Sequence, residues 1–269
     1  MAMDGIVKNK NDPKNQCRTR NPILDFYMGA YVAGVLRRPV FYIFQLPNEA
    51  GKSLTSNRFD NRTDVLLLRG DTTTQAFRDA IKRSMDKSKN DNINLILVED
   101  ACKIRSKTRE DFFALCAQFA TGNVSIDQYK FNISLKSHAS VIINTPPNKT
   151  SITEGHILDA GAGDRFGVLR VEVHKKILQD LFGLGLFNQE KNLIPIKVPD
   201  ITPGDYPQYI RENNRNGNDY SRNDLNHKYA CFCAGIPENT IDIMKHSLIR
   251  NCNWSGFWEE QEDIDEDEE

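Results

Sequence analysis

Five short apolar runs, separated by segments of helical character, constrain the fold of this chain more than any other feature. Each run is a continuous stretch of leucine, β-branched and aromatic residues, which is typical of strands buried on both faces. The runs cover residues 39–46, 65–70, 94–100, 139–148 and 167–173. Strands that alternate with helices predict right-handed crossovers and a mainly parallel sheet, so we expect a three-layer α/β fold with helices on both faces of the sheet.

The segments between the runs carry the start and stop signals of helices. A helix is predicted to start at Pro22 and to end near the arginines at 37–38, because proline suits a first turn and basic residues suit a last turn. Residues 72–89 predict an amphipathic helix with a threonine cap. Residues 108–122 predict another, which begins with a capping box and ends near Gly122.

Composition divides the chain into four parts. Residues 1–20 are polar and predict a flexible arm, whereas residues 21–175 hold the sheet. Residues 176–258 predict a small, mostly helical C-terminal region, in which 194–207 form a proline-rich connector followed by a polar, partly mobile segment. Residues 259–269 predict an acidic, disordered tail.

Charge is distributed unevenly between the tail and the rest of the chain. The tail holds nine of the 37 acidic residues, so 28 acidic residues face 35 lysines and arginines elsewhere, a balance of about +7. A mildly basic body fits a nucleic-acid partner, and the alternative is that the tail only keeps the chain soluble. No run of 18 apolar residues exists, so we expect no membrane span. The polar N-terminus lacks an apolar signal core, so we expect an intracellular protein.

The six cysteines form no paired C-x-x-C framework, and free thiols are expected. An alternative is a zinc site built from residues close together near the C-terminus, although their spacing matches no zinc pattern. Its candidate ligands are His227, Cys231, Cys233, His246 and Cys252.

The stretch LPNEAGKS follows the first apolar run and ends like a phosphate-binding loop, G-x-x-x-x-G-K-[ST]. Leu46 replaces the first glycine of that pattern, but it can end an extended strand before a proline. Backbone amides here would point at phosphate oxygens, Lys52 would neutralise phosphate charge and the Ser53 hydroxyl would bind Mg²⁺. The predicted ATP-binding residues are Pro47, Asn48, Glu49, Ala50, Gly51, Lys52, Ser53 and Leu54.

Two carboxylates end the third run, LILVED, as in a Walker B element. One would hold Mg²⁺ and its neighbour would polarise the attacking water. By position Glu99 is the metal-side residue and Asp100 the catalytic base, although the usual order is aspartate and then glutamate. The alternative is that both acids merely solvate the end of a strand.

Asn144 ends the fourth run, VIIN. If that strand lies between the first and third runs, the side chain would stand near the γ-phosphate and the attacking water. The alternative is an asparagine that starts a turn.

These motifs, together with LDAGAGDRF before the fifth run, resemble AAA+ ATPases. The resemblance implies that Asn144 is the sensor-1 residue and that Arg165 is a catalytic arginine finger. It would reach the γ-phosphate of a neighbouring subunit, in a ring homo-oligomer that we expect to be a hexamer. Arg165 could instead be a surface ion-pair residue, and Arg170 is a weaker candidate for the finger. Arg211 and Arg222 are possible sensor-2 residues.

The loop PNEAGKS also resembles the G-P-P-N-T-G-K-S loop of viral superfamily 3 helicases, in which an asparagine follows an apolar strand. Residues 121–144 resemble the segment that forms a hairpin in the ring pore of those proteins and grips single-stranded DNA. Lys130, Lys136 and His138 would then contact phosphates. Tyr129 or Phe131 would stack on bases, whereas the alternative is an edge hairpin without a ligand. Alternation in YKFNISLK independently predicts strands.

The sequence therefore predicts a three-layer P-loop NTPase sheet domain with a small C-terminal helical region. We expect a Mg²⁺-dependent, ATP-hydrolysing oligomeric motor on nucleic acid, helicase-like or a replication ATPase of a virus or plasmid, in the cytoplasm or nucleus of a host. One alternative is an ATP-dependent DNA- or protein-binding assembly switch with slow hydrolysis. Another is a degenerate P-loop scaffold that binds a partner.

Overall fold

The computed structural model describes residues 22–45, 52–60, 62–69, 75–76, 78–81, 93–99, 115, 118–119, 122, 124–128, 131–135, 138–145, 167–170, 196–215 and 220–245. The helices with defined bounds are α1 (Pro22–Val35), α2 (Lys52–Asn57), α3 (Tyr206–Arg215), α4 (Arg222–Cys233) and α5 (Thr240–Lys245). The strands are β1 (Phe41–Gln45), β2 (Val65–Arg69), β3 (Leu95–Glu99), β4 (Val124–Gln128), β5 (Phe131–Leu135), β6 (Ser140–Thr145) and β7 (Gly167–Arg170).

Within the described residues, five of these strands form one sheet in the order β2-β3-β6-β1-β7. Every pairing in this sheet is parallel. Strand β6 lies between β1 and β3, with Asn144 level with Phe44 and Ile143 level with Val98. The expected α/β class, the parallel sheet and the position of the strand that carries Asn144 are therefore confirmed.

Helices cover both faces of the sheet because successive strand residues point to opposite sides. On one face, side chains such as Phe44 and Leu97 pack against α1. On the other face, residues such as Ile43 and Val98 share a core with Ile81 and with Leu115 and Phe119, all three of which are helical. Burial on both sides explains why the strands appear in the sequence as unbroken apolar runs.

Helix α1 is buried nearly all round, since it lies between the sheet and helix α4. Two glycines allow this close packing. A Cβ atom at Gly29 would come within 2.7 Å of the side chains of His227 and Cys231. At Gly34 it would come within 1.9 Å of the backbone oxygen of Asn94. The helix therefore approaches both neighbours more closely than a larger residue would permit.

The start of helix α4 is bonded to the start of strand β1. The Asn223 side chain accepts a hydrogen bond from the Phe41 N–H at 2.9 Å and donates one to the Phe41 carbonyl at 3.3 Å. Asp224 accepts a hydrogen bond from the Tyr42 hydroxyl at 3.1 Å. It also forms a capping box with Ser221 at the N-terminus of the helix. Helix α4 is therefore attached to β1, which lies between β6 and β7 in the sheet.

Helix α3 was not predicted, and it occupies the end of the expected connector and the first part of the segment expected to be polar and partly mobile. It spans Tyr206–Arg215, and the Asp205 carboxylate accepts a hydrogen bond from the Gln208 N–H at its start. The ring of Tyr209 packs edge-on against Tyr229 of α4, with centroids 5.4 Å apart. Aromatic packing against α4 stabilises this mostly polar helix through Tyr206 and Tyr209, which recur at helical spacing.

The antiparallel hairpin predicted between the third and fourth runs is present as strands β4 and β5, in which Val124 pairs with Leu135 and Gln128 pairs with Phe131. Before it, Gly122 adopts a φ of 81° and its N–H donates to backbone oxygens at 118 and 119. This is the helix end that the glycine predicted. Across the described residues, no helix is long and apolar enough to cross a membrane.

Candidate functional site

Polar side chains collect at the carboxyl edge of the parallel sheet, where ligands of such sheets bind. Glu99 is the last residue of β3, and Asn144 is the next-to-last residue of β6. Ser53 and Ser56 lie on α2, which follows β1. The fold therefore brings the predicted Ser53, Glu99 and Asn144 together from three separate motifs.

From the described residues, the carboxylate of Glu99 accepts three hydrogen bonds, which are divided between its two oxygens. Its Oε2 accepts from the Ser53 hydroxyl at 2.6 Å. Its Oε1 accepts from the Ser56 hydroxyl at 2.5 Å and from the Asn144 amide nitrogen at 2.8 Å. We call Oε2 the outer oxygen and Oε1 the inner oxygen.

The two oxygens differ in access. Ser56 and Asn144, which hold the inner oxygen, are both 0% exposed, whereas Ser53 beside the outer oxygen is an exposed residue. Glu99 itself is 7% exposed. A ligand would therefore reach the carboxylate from the Ser53 side, and the inner side would serve as a fixed support.

A buried tyrosine completes this group of side chains. The hydroxyl of Tyr27, on α1, donates to the Asn144 side-chain oxygen at 2.6 Å. Burial, and secondarily the charge of Glu99, raise the pKa of the Tyr27 phenol well above its usual value, so the phenol stays protonated and donates. The sequence reasoning missed Tyr27 and Ser56. Only Ser56 carries a signal, since it lies three residues after Ser53 on the same helix face.

The oxygens of Ser53 and Glu99 fit a magnesium ion. Hydroxyl and carboxylate oxygens are the hard ligands that Mg²⁺ prefers, and this ion is usually held by one or two carboxylates together with phosphate oxygens and water. It therefore does not require a cluster of protein acids. In the part of the chain that the structure describes, no group of three or more His, Cys, Asp or Glu side chains is arranged to hold a metal.

Several predicted site residues fall outside the described part of the chain. Lys52 and Leu54 lie in α2, with their backbones described. The others are outside the described residues, namely Pro47, Asn48, Glu49, Ala50, Gly51, Asp100, Arg165, Lys130, Lys136 and Tyr129. Phe131 begins β5, and Arg170 ends β7.

His138, a predicted nucleic-acid contact, lies at the opposite edge of the sheet from Glu99. It precedes β6 by two residues, beside Gly122. Burial, followed by the charges of Arg37 and Arg38, lowers the pKa of its imidazole. At neutral pH its ring would therefore meet a phosphate as a neutral hydrogen-bond donor instead of a cation.

The two sensor-2 candidates also have described positions. Arg211 is an exposed residue of α3. Arg222 adjoins Asn223, which bonds the first residue of β1, so its backbone lies at the amino edge of the sheet. The described contacts do not bring either arginine to Glu99.

His227, the first candidate ligand of the alternative zinc site, lies in the hydrophobic core. Its Nε2 lies 3.0 Å from the carbonyl of Phe26, and its Nδ1 lies 3.6 Å from the sulfur of Cys231. Its ring stacks on the Phe26 ring. Burial lowers the pKa of the imidazole to about 4. The described contacts account for both ring nitrogens within the protein, whereas His246 and Cys252 lie outside the described residues.

Two comparisons with known proteins were negative. A scan against protein-family models finds no matching family, and a search of curated proteins finds no match.

Proposed function

We propose that this chain is a Mg²⁺-dependent ATPase of the P-loop class that acts as an oligomeric motor on nucleic acid, either helicase-like or as a replication ATPase. The observation that carries the proposal is the 2.6 Å hydrogen bond from the Ser53 hydroxyl to the Glu99 carboxylate. These residues end two motifs that are separate in the sequence. Their juxtaposition at the carboxyl edge of a parallel sheet is what a phosphate loop and a Walker B strand require.

The strand order gives independent support. Asn144 stands on a strand between the one that leads into the loop and the one that ends in Glu99. Its amide nitrogen is within 2.8 Å of the inner oxygen of Glu99. The proposed sensor residue therefore adjoins the proposed metal ligand directly.

In the proposed mechanism the chain positions and neutralises phosphates. Lys52 neutralises charge on the β- and γ-phosphates, and the loop amides hold their oxygens. Ser53 and Glu99 would hold Mg²⁺, which when bound supplies neutralisation of developing phosphate charge. The Asp100 carboxylate accepts the proton of the attacking water. Arg165 from a neighbouring subunit stabilises the transition-state charge.

The nucleic-acid part of the proposal relies on the β4–β5 hairpin. In the sequence, Tyr129 and Lys130 are the two residues between the last residue of β4 and the first of β5. An aromatic residue and a cationic residue at this point of the sequence suit base stacking and phosphate contact on a single strand. The net positive charge of the chain outside its acidic tail favours the same partner.

The proposal is tested by nucleotide binding and by ATP turnover with and without single-stranded DNA. We expect Mg²⁺-dependent turnover that single-stranded DNA stimulates. Lys52→Ala should abolish ATP binding because it removes the cation that meets the phosphates. The control is Lys197→Ala, which removes an exposed lysine that belongs to neither the loop nor α2.

The outcomes separate the three functions. Turnover that DNA stimulates supports the motor. ATP-dependent assembly on DNA or protein with slow hydrolysis supports the assembly switch instead. Unchanged ATP affinity in Lys52→Ala overturns the phosphate-loop proposal, and absence of ATP binding by the wild-type chain supports the scaffold.

A further inference from the structure

Tyr27 has no part in the mechanism proposed above, yet it contacts the residues of the site. Its side chain is 0% exposed, and its hydroxyl is 2.6 Å from the Asn144 side-chain oxygen. The ring alone would fill this space in α1, since it packs against Phe44 and Phe59. The buried hydroxyl therefore requires a separate explanation.

The hydrogen bonds from Tyr27 through Asn144 to Glu99 can have only one set of donors and acceptors. An ionised carboxylate only accepts hydrogen bonds, so Asn144 must turn its NH₂ group toward Glu99. Its carbonyl oxygen then faces α1, where it needs a donor, and the protonated Tyr27 phenol supplies one. The tyrosine hydroxyl therefore fixes which way the Asn144 amide faces.

The direction of this amide controls the inner oxygen of Glu99. With the amide reversed, the Asn144 oxygen would stand against the carboxylate, 2.8 Å from an atom of like charge. The carboxylate would then rotate or move away, and the Ser56 hydroxyl alone would hold its inner oxygen. The outer oxygen would lose its fixed direction toward Ser53.

We propose that Tyr27 is a positioning residue of the metal site, which acts through Asn144 to hold Glu99 with its outer oxygen toward Ser53. The inference rests on the proposed function, because it gives the outer oxygen the task of binding Mg²⁺. It assigns Tyr27 no contact with nucleotide or metal. Its effect is carried by two hydrogen bonds in series, of 2.6 Å and 2.8 Å.

Helix α1 provides a matched control in Tyr31, one helical turn after Tyr27. Its ring is also buried, at 3% exposure, and its hydroxyl donates to a carboxylate, that of Asp64, at 2.6 Å. Asp64 precedes β2 and lies at the amino edge of the sheet, away from Glu99. Tyr31→Phe therefore removes the same group from the same helix without touching the site.

The first experiment compares Tyr27→Phe, Tyr31→Phe and the wild-type full chain. ATP binding is titrated with Mg²⁺ and repeated in excess chelator. We expect Tyr27→Phe to raise the Mg²⁺ concentration for half-maximal effect about tenfold, as supporting residues of metal ligands do, with chelated ATP affinity unchanged. Tyr31→Phe should match the wild type in both. Equal shifts in the two variants overturn the inference.

A second measurement needs neither nucleotide nor metal. Side-chain ¹⁵N amide resonances of Asn144 report its hydrogen bonds directly. We expect slow hydrogen exchange in the wild-type chain and in Tyr31→Phe, and exchange at least about tenfold faster in Tyr27→Phe, because one of the two bonds that fix the amide is lost. Unchanged exchange in Tyr27→Phe overturns the inference even if activity falls.

A double-mutant cycle separates positioning from packing. If Tyr27 acts through Asn144, Tyr27→Phe should have no further effect on the Mg²⁺ dependence in an Asn144→Ala background. A full additional tenfold shift in that background would mean that the tyrosine acts by another route. A wild-type chain whose ATP binding ignores Mg²⁺ overturns the metal site and this inference together, whereas the other contrary results overturn the inference alone.

Discussion

The carboxylate of Glu99 is held by neighbours of two kinds, and this division gives the serines different tasks. Ser56 donates to the inner oxygen and is 0% exposed, so its hydroxyl belongs to the core. Ser53 donates to the outer oxygen and is an exposed residue, so a metal ion could replace that hydrogen bond with a coordination bond. Ser56 therefore supports the carboxylate and Ser53 is the proposed binding group, although the two are only three positions apart on α2.

We expect an alanine substitution at Ser56 to lower mainly the stability of the protein, and one at Ser53 to impair mainly its metal binding. Ser56→Ala should lower the free energy of unfolding by about 1.5–3 kcal/mol, since it removes a buried hydrogen bond to a charged group. Ser53→Ala should change that free energy by less than about 0.5 kcal/mol, as surface substitutions do, but should abolish the Mg²⁺ dependence of ATP binding. Urea unfolding and Mg²⁺ titration measure the two effects. A large loss of stability in Ser53→Ala would contradict this assignment.

At the residue scale, sequence reasoning selected Ser53, Glu99 and Asn144 but missed Tyr27 and Ser56, which hydrogen-bond to them. Ser53, Glu99 and Asn144 end recognisable motifs, so their chemistry can be expected before the fold is known. Tyr27 cannot be found in this way, because α1 is apolar apart from Asp25 and a tyrosine within it has no distinguishing pattern. Its role depends on a hydrogen bond across a sequence separation of 117, which only the tertiary structure supplies.

At the scale of elements, the parallel sheet could be predicted because burial on both faces leaves a direct record in the sequence. The hairpin could be predicted from its alternation. Helix α3 was not predicted, although two local signals precede and accompany it. Tyr206, Tyr209 and Ile210 recur at helical spacing. An aspartate before a tyrosine–proline pair supplies an N-cap followed by proline in the first turn. Contacts of Tyr206 and Tyr209 with Tyr229, which only the fold supplies, stabilise this otherwise polar helix.

Two glycine substitutions in α1 test how closely this helix is packed. Alanine favours helices over glycine by about 1 kcal/mol, yet both Gly29→Ala and Gly34→Ala should destabilise the protein. The Gly34 variant should be the worse, because its Cβ would meet a backbone oxygen at 1.9 Å, whereas the Gly29 variant would meet side chains at 2.7 Å. Thermal unfolding of both variants measures the order. A rise in Tm for either variant would show that α1 has room on that side.

At the scale of the whole molecule, His227 makes the stability of the fold depend on pH. Burial lowers the pKa of this imidazole from 6.5 to about 4 in the folded protein. Between these pH values the unfolded chain binds a proton that the native protein does not. Stability therefore falls as the pH drops through this window, and the loss attributable to His227 approaches about 3 kcal/mol near pH 4.

His227→Gln should remove this contribution, because glutamine can reach the Phe26 carbonyl with an amide nitrogen but does not titrate. We expect the free energy of unfolding of the variant, measured in urea from pH 7 to pH 4, to fall less steeply than that of the wild type. His138 also has a lowered pKa and affects both proteins equally, so the difference between them isolates His227. Parallel curves for the two proteins would contradict the assignment.

The proposed ring makes a prediction about mixtures of subunits. Arg165→Ala should bind ATP normally but turn it over about 10³-fold more slowly or worse, as the loss of an arginine finger does. Mixing it with Lys52→Ala subunits should restore part of the turnover, since each variant supplies the group that the other lacks at a shared site. Steady-state ATPase rates across mixing ratios measure the rescue. Rates that remain at the level of the separate variants would contradict a finger acting between subunits.

The contact between Asn223 and Phe41 also bears on how the chain is made. It joins positions 182 residues apart, so strand β1 emerges from the ribosome long before its partner in helix α4 is synthesised. Contacts of such long range slow folding, because a large loop must close before they form. We expect the nascent N-terminal half to remain incompletely folded, with exposed strand edges that chaperones would need to shield, until helix α4 leaves the exit tunnel. Nucleotide binding at the proposed site would therefore begin only after residues up to the end of α4 have been translated.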